Sequence, residues 1–146
     1  MKRIDYERKI FGMLFKTSNS LQVYLDRLLS DENLTAKQMF LMIVINHFGE
    51  NYPTLKEVAD KSSSSYQNVK QLALKLQEEG YVNIRKDALD RRKSRLNLTE
   101  KAAEFWKRRE GTDSQEMEKL FSGCDEVSLH IFCEVIIKLQ SNIEKM

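Results

Sequence analysis

Two helix-start signals eleven residues apart, at Thr54 and Ser65, constrain the fold of this 146-residue chain most strongly. Thr54 and Glu57 have the spacing of a capping box, so the sequence predicts a short helix over residues 55–61. Ser65 ends a run of four serines, which compete with the helical backbone and favour turns and caps. We therefore expect Ser65 to cap a second, longer helix over residues 66–79.

Apolar spacing and a glycine complete this pattern. The apolar residues of each predicted helix fall on one face, and Gly80 stands where a left-handed C-cap is wanted. The inward positions are Leu55, Val58 and Ala59 in the first helix and Val69, Leu72, Ala73 and Leu76 in the second. A short helix, a turn and a longer helix predict a helix-turn-helix.

The next segment predicts a β-hairpin. Residues 81–84 and 95–98 alternate apolar and polar side chains, as paired strands do. The intervening residues 85–94 hold five basic and two acidic groups and are too polar to bury. A basic hairpin directly after a helix-turn-helix is a wing, which can lie beside the DNA backbone or in the minor groove while the second helix enters the major groove.

Charge is distributed unevenly along the chain, whose net charge is +2. Residues 1–60 are neutral and residues 96–146 carry −3, whereas residues 61–95 carry +5. The positive field therefore coincides with the predicted helix-turn-helix and wing, as a nucleic-acid surface requires.

The flanking segments predict long helices. Residues 5–29 have two apolar stripes at helical spacing, Thr35 and Gln38 form a capping box before an apolar helix, and Thr99 caps a helix that we expect to break near Gly111. A last, broadly apolar helix begins near Asp125. The predicted fold is mainly α with a small two- to three-stranded β wing, and the excess apolar surface of the terminal helices favours a second subunit.

Several functions are disfavoured by what the sequence lacks. No phosphate-binding glycine loop, nucleophile elbow or His-Glu-x-x-His motif is present, so we expect no enzyme, and we expect no cofactor and no bound metal. No apolar run is long enough for a membrane span, and the charged first nine residues lack a signal-peptide core, so we expect a cytoplasmic protein without a membrane partner. Cys124 and Cys133 are expected to be reduced and buried.

Particular residues resemble the MarR (multiple antibiotic resistance regulator) family. The resemblance covers residues 34–101, and its most specific part is Asp90-Arg91-Arg92 followed by Leu98-Thr99-Glu100-Lys101. The other matching positions are Leu34, Thr35, Gln38, Leu55, Glu57, Val58, Ala59, Val69, Leu72 and residues 76–82. Two departures are Ser63, where glycine is common in the turn, and Ala102, where the family usually has glycine.

The resemblance implies a homodimeric transcription factor that binds double-stranded DNA, usually a repressor, often released by a small-molecule effector or by oxidation. It implies a helical dimerisation region over residues 1–33 and 100–146 and a winged helix-turn-helix domain over residues 34–99. The residues expected to contact DNA are Ser65, Tyr66, Gln67, Asn68, Lys70, Gln71, Lys75, Arg91, Arg92 and Lys93. Asp90 is expected to orient the wing by holding Arg92.

An effector pocket between the two regions is the least specific expectation, with Phe11, Phe15, Phe40 and Met42 as its candidate lining residues. Two alternatives stay open at the level of sequence. The winged helix could bind an acidic protein instead of DNA, or the regulator could respond to a metal or to oxidation. The two histidines and two cysteines are spread over positions 47–133 and offer no obvious ligand set for a metal.

Overall fold

The computed structural model describes residues 1–146 and consists of six α-helices and one two-stranded antiparallel sheet. The elements are α1 (Arg3–Leu28), a single 3-10 turn (Ser30–Glu32), α2 (Ala36–His47), α3 (Leu55–Lys61), α4 (Tyr66–Glu78), β1 (Val82–Lys86), β2 (Ser94–Leu98), α5 (Glu100–Leu120) and α6 (Glu126–Glu144). The predicted fold class, mainly α with a small β wing, is confirmed. No helix combines the length and hydropathy needed to cross a lipid bilayer.

The chain divides into two compact units, Met1–Phe105 and Trp106–Met146. In the first unit the core lies where α2, α3, α4 and the sheet contact one another. Its fully buried side chains include Leu41, Met42, Val58, Val69, Leu76 and Leu96. Each large aliphatic side chain buried in this way contributes roughly 1.5–3 kcal/mol of transfer free energy. The functional boundaries at residues 34 and 99 stay a prediction.

The helix starts predicted from the sequence are present as hydrogen bonds. The Thr35 hydroxyl accepts the amide of Gln38 at 3.2 Å, and the Gln38 side chain accepts the amide of Thr35 at 2.9 Å. Thr54 and Glu57 form the same reciprocal pair at 3.1 Å in both directions. Capping boxes of this kind satisfy amides that the first helical turn leaves without partners.

The second helix of the helix-turn-helix ends just before Gly80, as the sequence predicted. Gly80 has φ of +81°, its amide donates to the carbonyl of Gln77, and the Tyr81 amide donates to the carbonyl of Leu76. These two bonds form a Schellman motif, in which glycine tolerates the left-handed backbone. The chain therefore turns sharply from α4 into β1.

The hairpin pairs Val82 with Leu98 and Ile84 with Leu96. A third partner is added on the other side of β2, because the Leu96 amide donates to the Pro53 carbonyl at 2.8 Å and Thr54 forms an isolated bridge with Arg95. The wing is thus a two-stranded sheet fastened to the residues that precede α3.

The expected break near Gly111 is wrong. Helix α5 runs without interruption from Glu100 to Leu120. One glycine in a helix costs only about 1 kcal/mol relative to alanine, too little to end a helix of this length. Arg109 and Asp113 lie one helical turn apart, on either side of Gly111, and form an ion pair with 2.9 Å between nitrogen and oxygen.

The expected burial of the cysteines is also wrong. Cys124 and Cys133 are free thiols with exposed side chains. Cys133 lies on α6, which has no buried residue, and Cys124 lies in the turn between α5 and α6. The expectation of burial rests on a reducing compartment, in which cysteines stay unpaired, but in the single chain both thiols lie outside the core and the apolar face of α6 stays open to solvent.

Candidate nucleic-acid interface

The outward half of α4 carries the predicted DNA-contacting residues of the helix-turn-helix. Val69, Ala73 and Leu76 form its buried stripe. All seven predicted residues of this part of the chain are exposed: Ser65, Tyr66, Gln67, Asn68, Lys70, Gln71 and Lys75. The structure therefore leaves the polar face of α4 available to a ligand, as a recognition helix requires.

The turn before α4 is held by its own serines. The Ser65 hydroxyl accepts the amide of Asn68 at 3.2 Å, which makes Ser65 the N-cap of α4 as predicted. The Asn68 side-chain nitrogen donates to the Ser64 hydroxyl at 2.8 Å, and the Ser62 hydroxyl donates to the Val58 carbonyl at 2.7 Å. Ser65 and Asn68 therefore support the turn, which sequence reasoning did not foresee for Asn68.

The wing presents Arg91, Arg92 and Lys93, all of them exposed. Arg92 donates from Nε to Asp90 Oδ1 at 3.0 Å and from Nη2 to Asp90 Oδ2 at 3.2 Å. The Arg92 side chain and its backbone amide both lower the pKa of Asp90, which stays ionised as the partner of the guanidinium. The ion pair predicted between Asp90 and Arg92 is thus present in two-pronged geometry.

Asp87 and Arg95 hold the wing in place, and sequence reasoning missed both. Asp87 is buried, and its Oδ1 accepts the amides of Leu89 and Asp90, each at 2.8 Å. Its other oxygen pairs with the Arg95 guanidinium, whose Nη1 donates to the Tyr52 carbonyl at 2.9 Å. Arg95 above all, then the two amides, lower the pKa of Asp87 to about 2.

This arrangement joins the wing to the residues before α3. Asp87 fixes the loop through two amides, and Arg95 ties the same carboxylate to the backbone at Tyr52. An aspartate at the start of a polar loop is a signal for such a turn, because its carboxylate can accept amides two and three residues ahead. The partner Arg95 gave no signal in the sequence beyond its charge.

The four candidate effector residues lie in three environments. Met42 is fully buried in the core, and Phe11 and Phe15 lie on the exposed part of α1 with their rings 5.2 Å apart. Phe40 borders a recess of about 250 Å³ that is also lined by Lys37, the turn serines, Asn68 and Leu72. The effector pocket stays a prediction. No cluster of three or more His, Cys, Asp or Glu side chains that could hold a metal ion is found.

Solved structures share this architecture. A MarR protein from Peptoclostridium difficile superposes with a TM-score of 0.83 at 18% identity, over 93% of this chain and 88% of that one. A MarR/EmrR family transcriptional regulator from Acinetobacter sp. gives 0.82 at 16% identity, over 96% and 98% of the two chains. MepR of S. aureus, solved as a DNA complex, gives 0.79 at 17% identity over 90% and 97%.

No protein-family model matches the sequence, and neither does any curated protein. The fold and the exposed α4 and wing define a winged helix-turn-helix protein. Within that class the chain has the fold of the MarR-family transcriptional regulators, so the resemblance predicted from the sequence is confirmed at the level of the fold.

Proposed function

We propose that this chain is a sequence-specific DNA-binding transcriptional regulator that acts as a homodimeric repressor on a pseudo-palindromic operator. The observation that carries the proposal is the exposed polar face of α4, followed directly by a wing whose Arg92 is held by Asp90. Residues 61–95, which contain both elements, carry a net charge of +5. In this function the protein is a binding module.

Different residues contact the phosphates and read the bases. Lys70, Lys75 and Lys93 are flexible point charges suited to phosphate oxygens. Arg92 is a planar, permanently charged group suited to a narrow minor groove, where the negative potential is enhanced. The amide side chains of α4 can make two-pronged contacts to base edges in the major groove.

The homodimer is supported by apolar surface that a single copy leaves open. Helix α6 has no buried residue, yet Ile131, Phe132 and Val135 lie exposed along it. Helix α1 likewise exposes Phe11 and Phe15. Monomeric proteins rarely expose contiguous apolar patches of this kind, and a two-fold interface between copies would cover them. A small-molecule effector and a cytoplasmic location complete the proposal as expectations from the sequence.

Selection of bound duplexes from random DNA tests the proposal. We expect an enriched pseudo-palindrome whose half-sites are about 10–10.5 base pairs apart, or a multiple of that spacing, because two α4 helices related by a two-fold axis enter successive major grooves. Gln77→Ala on the flank of α4 is the matched control for Gln71→Ala, and only Gln71→Ala should change the enriched sequence. The absence of any enriched duplex would refute the proposal.

A further inference from the structure

The side chains opposite the buried stripe of α4 form a stripe of their own. At 100° per residue, Gln67, Gln71 and Leu74 lie on the side of the helix farthest from Val69, Ala73 and Leu76. All three are exposed, and Leu74 retains 47% of its surface. We call Gln67, Gln71 and Leu74 the reading stripe.

Lysines border the reading stripe but do not interrupt it. Lys70 and Lys75 are exposed on its two sides. Glu78 continues the stripe one turn beyond Leu74, and its negative charge would repel DNA phosphates there. This charge favours base contacts in the first nine residues of α4. The reading stripe itself holds no arginine or lysine, the residues that most often read guanine.

The two glutamines of the stripe are free for a ligand. Neither Gln67 nor Gln71 makes a side-chain hydrogen bond within the chain, whereas the neighbouring Asn68 amide is engaged with Ser64. A glutamine amide can accept from N6 and donate to N7 of adenine at the same time. Gln67 and Gln71 lie four residues apart, one helical turn, so both can face the floor of one groove.

Leu74 is the one apolar side chain on the reading stripe. Single exposed leucines are common on protein surfaces, so exposure by itself indicates nothing. The position of Leu74 is informative, because Leu74 shares a helix face with the side-chain amides of Gln67 and Gln71. An apolar side chain beside adenine-reading amides complements the C5-methyl group of thymine, which only A·T pairs present in the major groove.

We infer that each half-site of the operator is read as A·T pairs, with Gln67 and Gln71 on adenine and Leu74 on a thymine methyl group. The inference rests on the proposed function and names the base pairs which that function would recognise. It adds Leu74 to the specificity-determining residues and moves Asn68 from base reading to support of the turn.

Base analogues test each contact by removing single groups from the selected duplex. Replacing the contacted thymine by uracil deletes only the methyl group, so wild-type affinity should fall roughly fourfold, which corresponds to about 0.8 kcal/mol for one buried methylene-sized group. Leu74→Ala should bind more weakly and show no uracil penalty. Leu74→Met should restore that penalty, since its side chain is also apolar and long.

The adenine contacts are tested in the same titrations. Replacing the contacted adenine by 7-deazaadenine removes the N7 acceptor, and this should weaken the wild type but not Gln71→Ala. Gln77→Ala, an exposed glutamine on the flank of α4, is the control and should keep every penalty. Melting curves of the variants should match the wild type, because all three substituted side chains, Gln71, Leu74 and Gln77, are exposed.

The outcomes separate the inference from the proposed function. Uracil and 7-deazaadenine penalties that vanish in the matching variants support the inference. A selected duplex with G·C pairs opposite the reading stripe, or equal penalties in wild type and variants, would overturn the inference and leave DNA binding intact. Failure to select any duplex would overturn both.

Discussion

The Arg92 guanidinium and the Asp90 carboxylate lie two residues apart and form two hydrogen bonds, at 3.0 and 3.2 Å, while the Arg92 side chain stays 91% exposed. Asp90 also accepts the backbone amide of Arg92 at 3.1 Å. An exposed ion pair contributes at most about 1 kcal/mol to folding stability, so stability is a weak reason for this geometry. Its consequence is orientation, because the carboxylate limits the rotamers of an otherwise flexible side chain.

Removing the arginine should therefore affect binding and spare folding. We expect Arg92→Ala to weaken operator binding at least tenfold, about 1.4 kcal/mol, with a nearly unchanged melting temperature. Asp90→Ala should do the same more mildly, since it loosens the arginine without removing its charge. Operator titration at fixed salt beside a melting curve measures both effects.

Arg3 is the matched control for this experiment. Its side chain is as exposed as that of Arg92 and pairs with Glu7 at 2.7 Å on α1. Arg3→Ala removes the same charge and a similar ion pair outside the basic segment, so we expect operator affinity to change less than twofold (about 0.4 kcal/mol). Equal losses of operator affinity in Arg3→Ala and Arg92→Ala would show that Arg92 acts only as a nonspecific positive charge.

Asp87 should give the protein a defined acid sensitivity. Its pKa is about 2 in the folded chain against 3.8 for an ordinary aspartate, so its ionised form stabilises the fold. That contribution is fully present above about pH 3.8 and is lost as the pH falls towards 2. Asp87→Asn should be less stable than the wild type at pH 7, and the gap should close between about pH 4 and pH 2.

Denaturant unfolding at several pH values measures that gap. Asp60→Asn on the exposed side of α3 is the control, because its side chain makes no hydrogen bond within the chain. It should track the wild type at every pH. A stability gap for Asp87→Asn that stays constant down to pH 2 would contradict the role of the carboxylate in anchoring the loop.

Replacing Gly80 and Gly111 by alanine should change the free energy of unfolding in opposite directions. Gly80 has φ of +81°, where a Cβ atom is strained, so Gly80→Ala should destabilise the protein by roughly 1–2 kcal/mol. Gly111 lies within α5, and a Cβ atom there would meet nothing within 4 Å, so Gly111→Ala should stabilise by roughly 0.5–1 kcal/mol. Chemical denaturation of both variants measures the difference, and effects of the same sign would show that one of the two backbone assignments is wrong.

Local signals gave the right answer where one short-range interaction decides the geometry, as in the capping boxes at Thr35 and Thr54 and the left-handed Gly80. Gly111 was misjudged because a local propensity of about 1 kcal/mol was outweighed by the rest of the helix.

Long-range partners were beyond the sequence. Arg95 meets Asp87 across the hairpin and the Tyr52 carbonyl 43 residues away, and no spacing rule connects these three positions. Asn68 was predicted as a base contact because its residue type suits adenine, but its environment engages the side chain with Ser64. Exposure of Cys133 depends on which face of α6 is covered, and periodicity alone does not say what covers a face.

The open face of α6 should make dimer formation sensitive to charge. Phe132→Glu places a carboxylate on the exposed apolar stripe, so we expect the dimer to dissociate or the protein to aggregate. Glu134→Gln on the same helix is the control and should leave the mass unchanged. Sedimentation measures the mass, and a wild-type protein that is monomeric at micromolar concentration would contradict the homodimer.

The salt dependence of affinity for the selected duplex tests DNA binding by the wing and α4 most directly. Each neutralised phosphate releases counterions, so the logarithm of the association constant should fall linearly with the logarithm of salt concentration, with a slope of about −0.9 per phosphate contacted. We expect a steep negative slope for the wild type. In Lys93→Ala the slope should become shallower by the contribution of about one phosphate contact per subunit. A slope near zero would contradict the account. A slope that stays unchanged in all three variants, Lys93→Ala, Lys70→Ala and Lys75→Ala, would also contradict it.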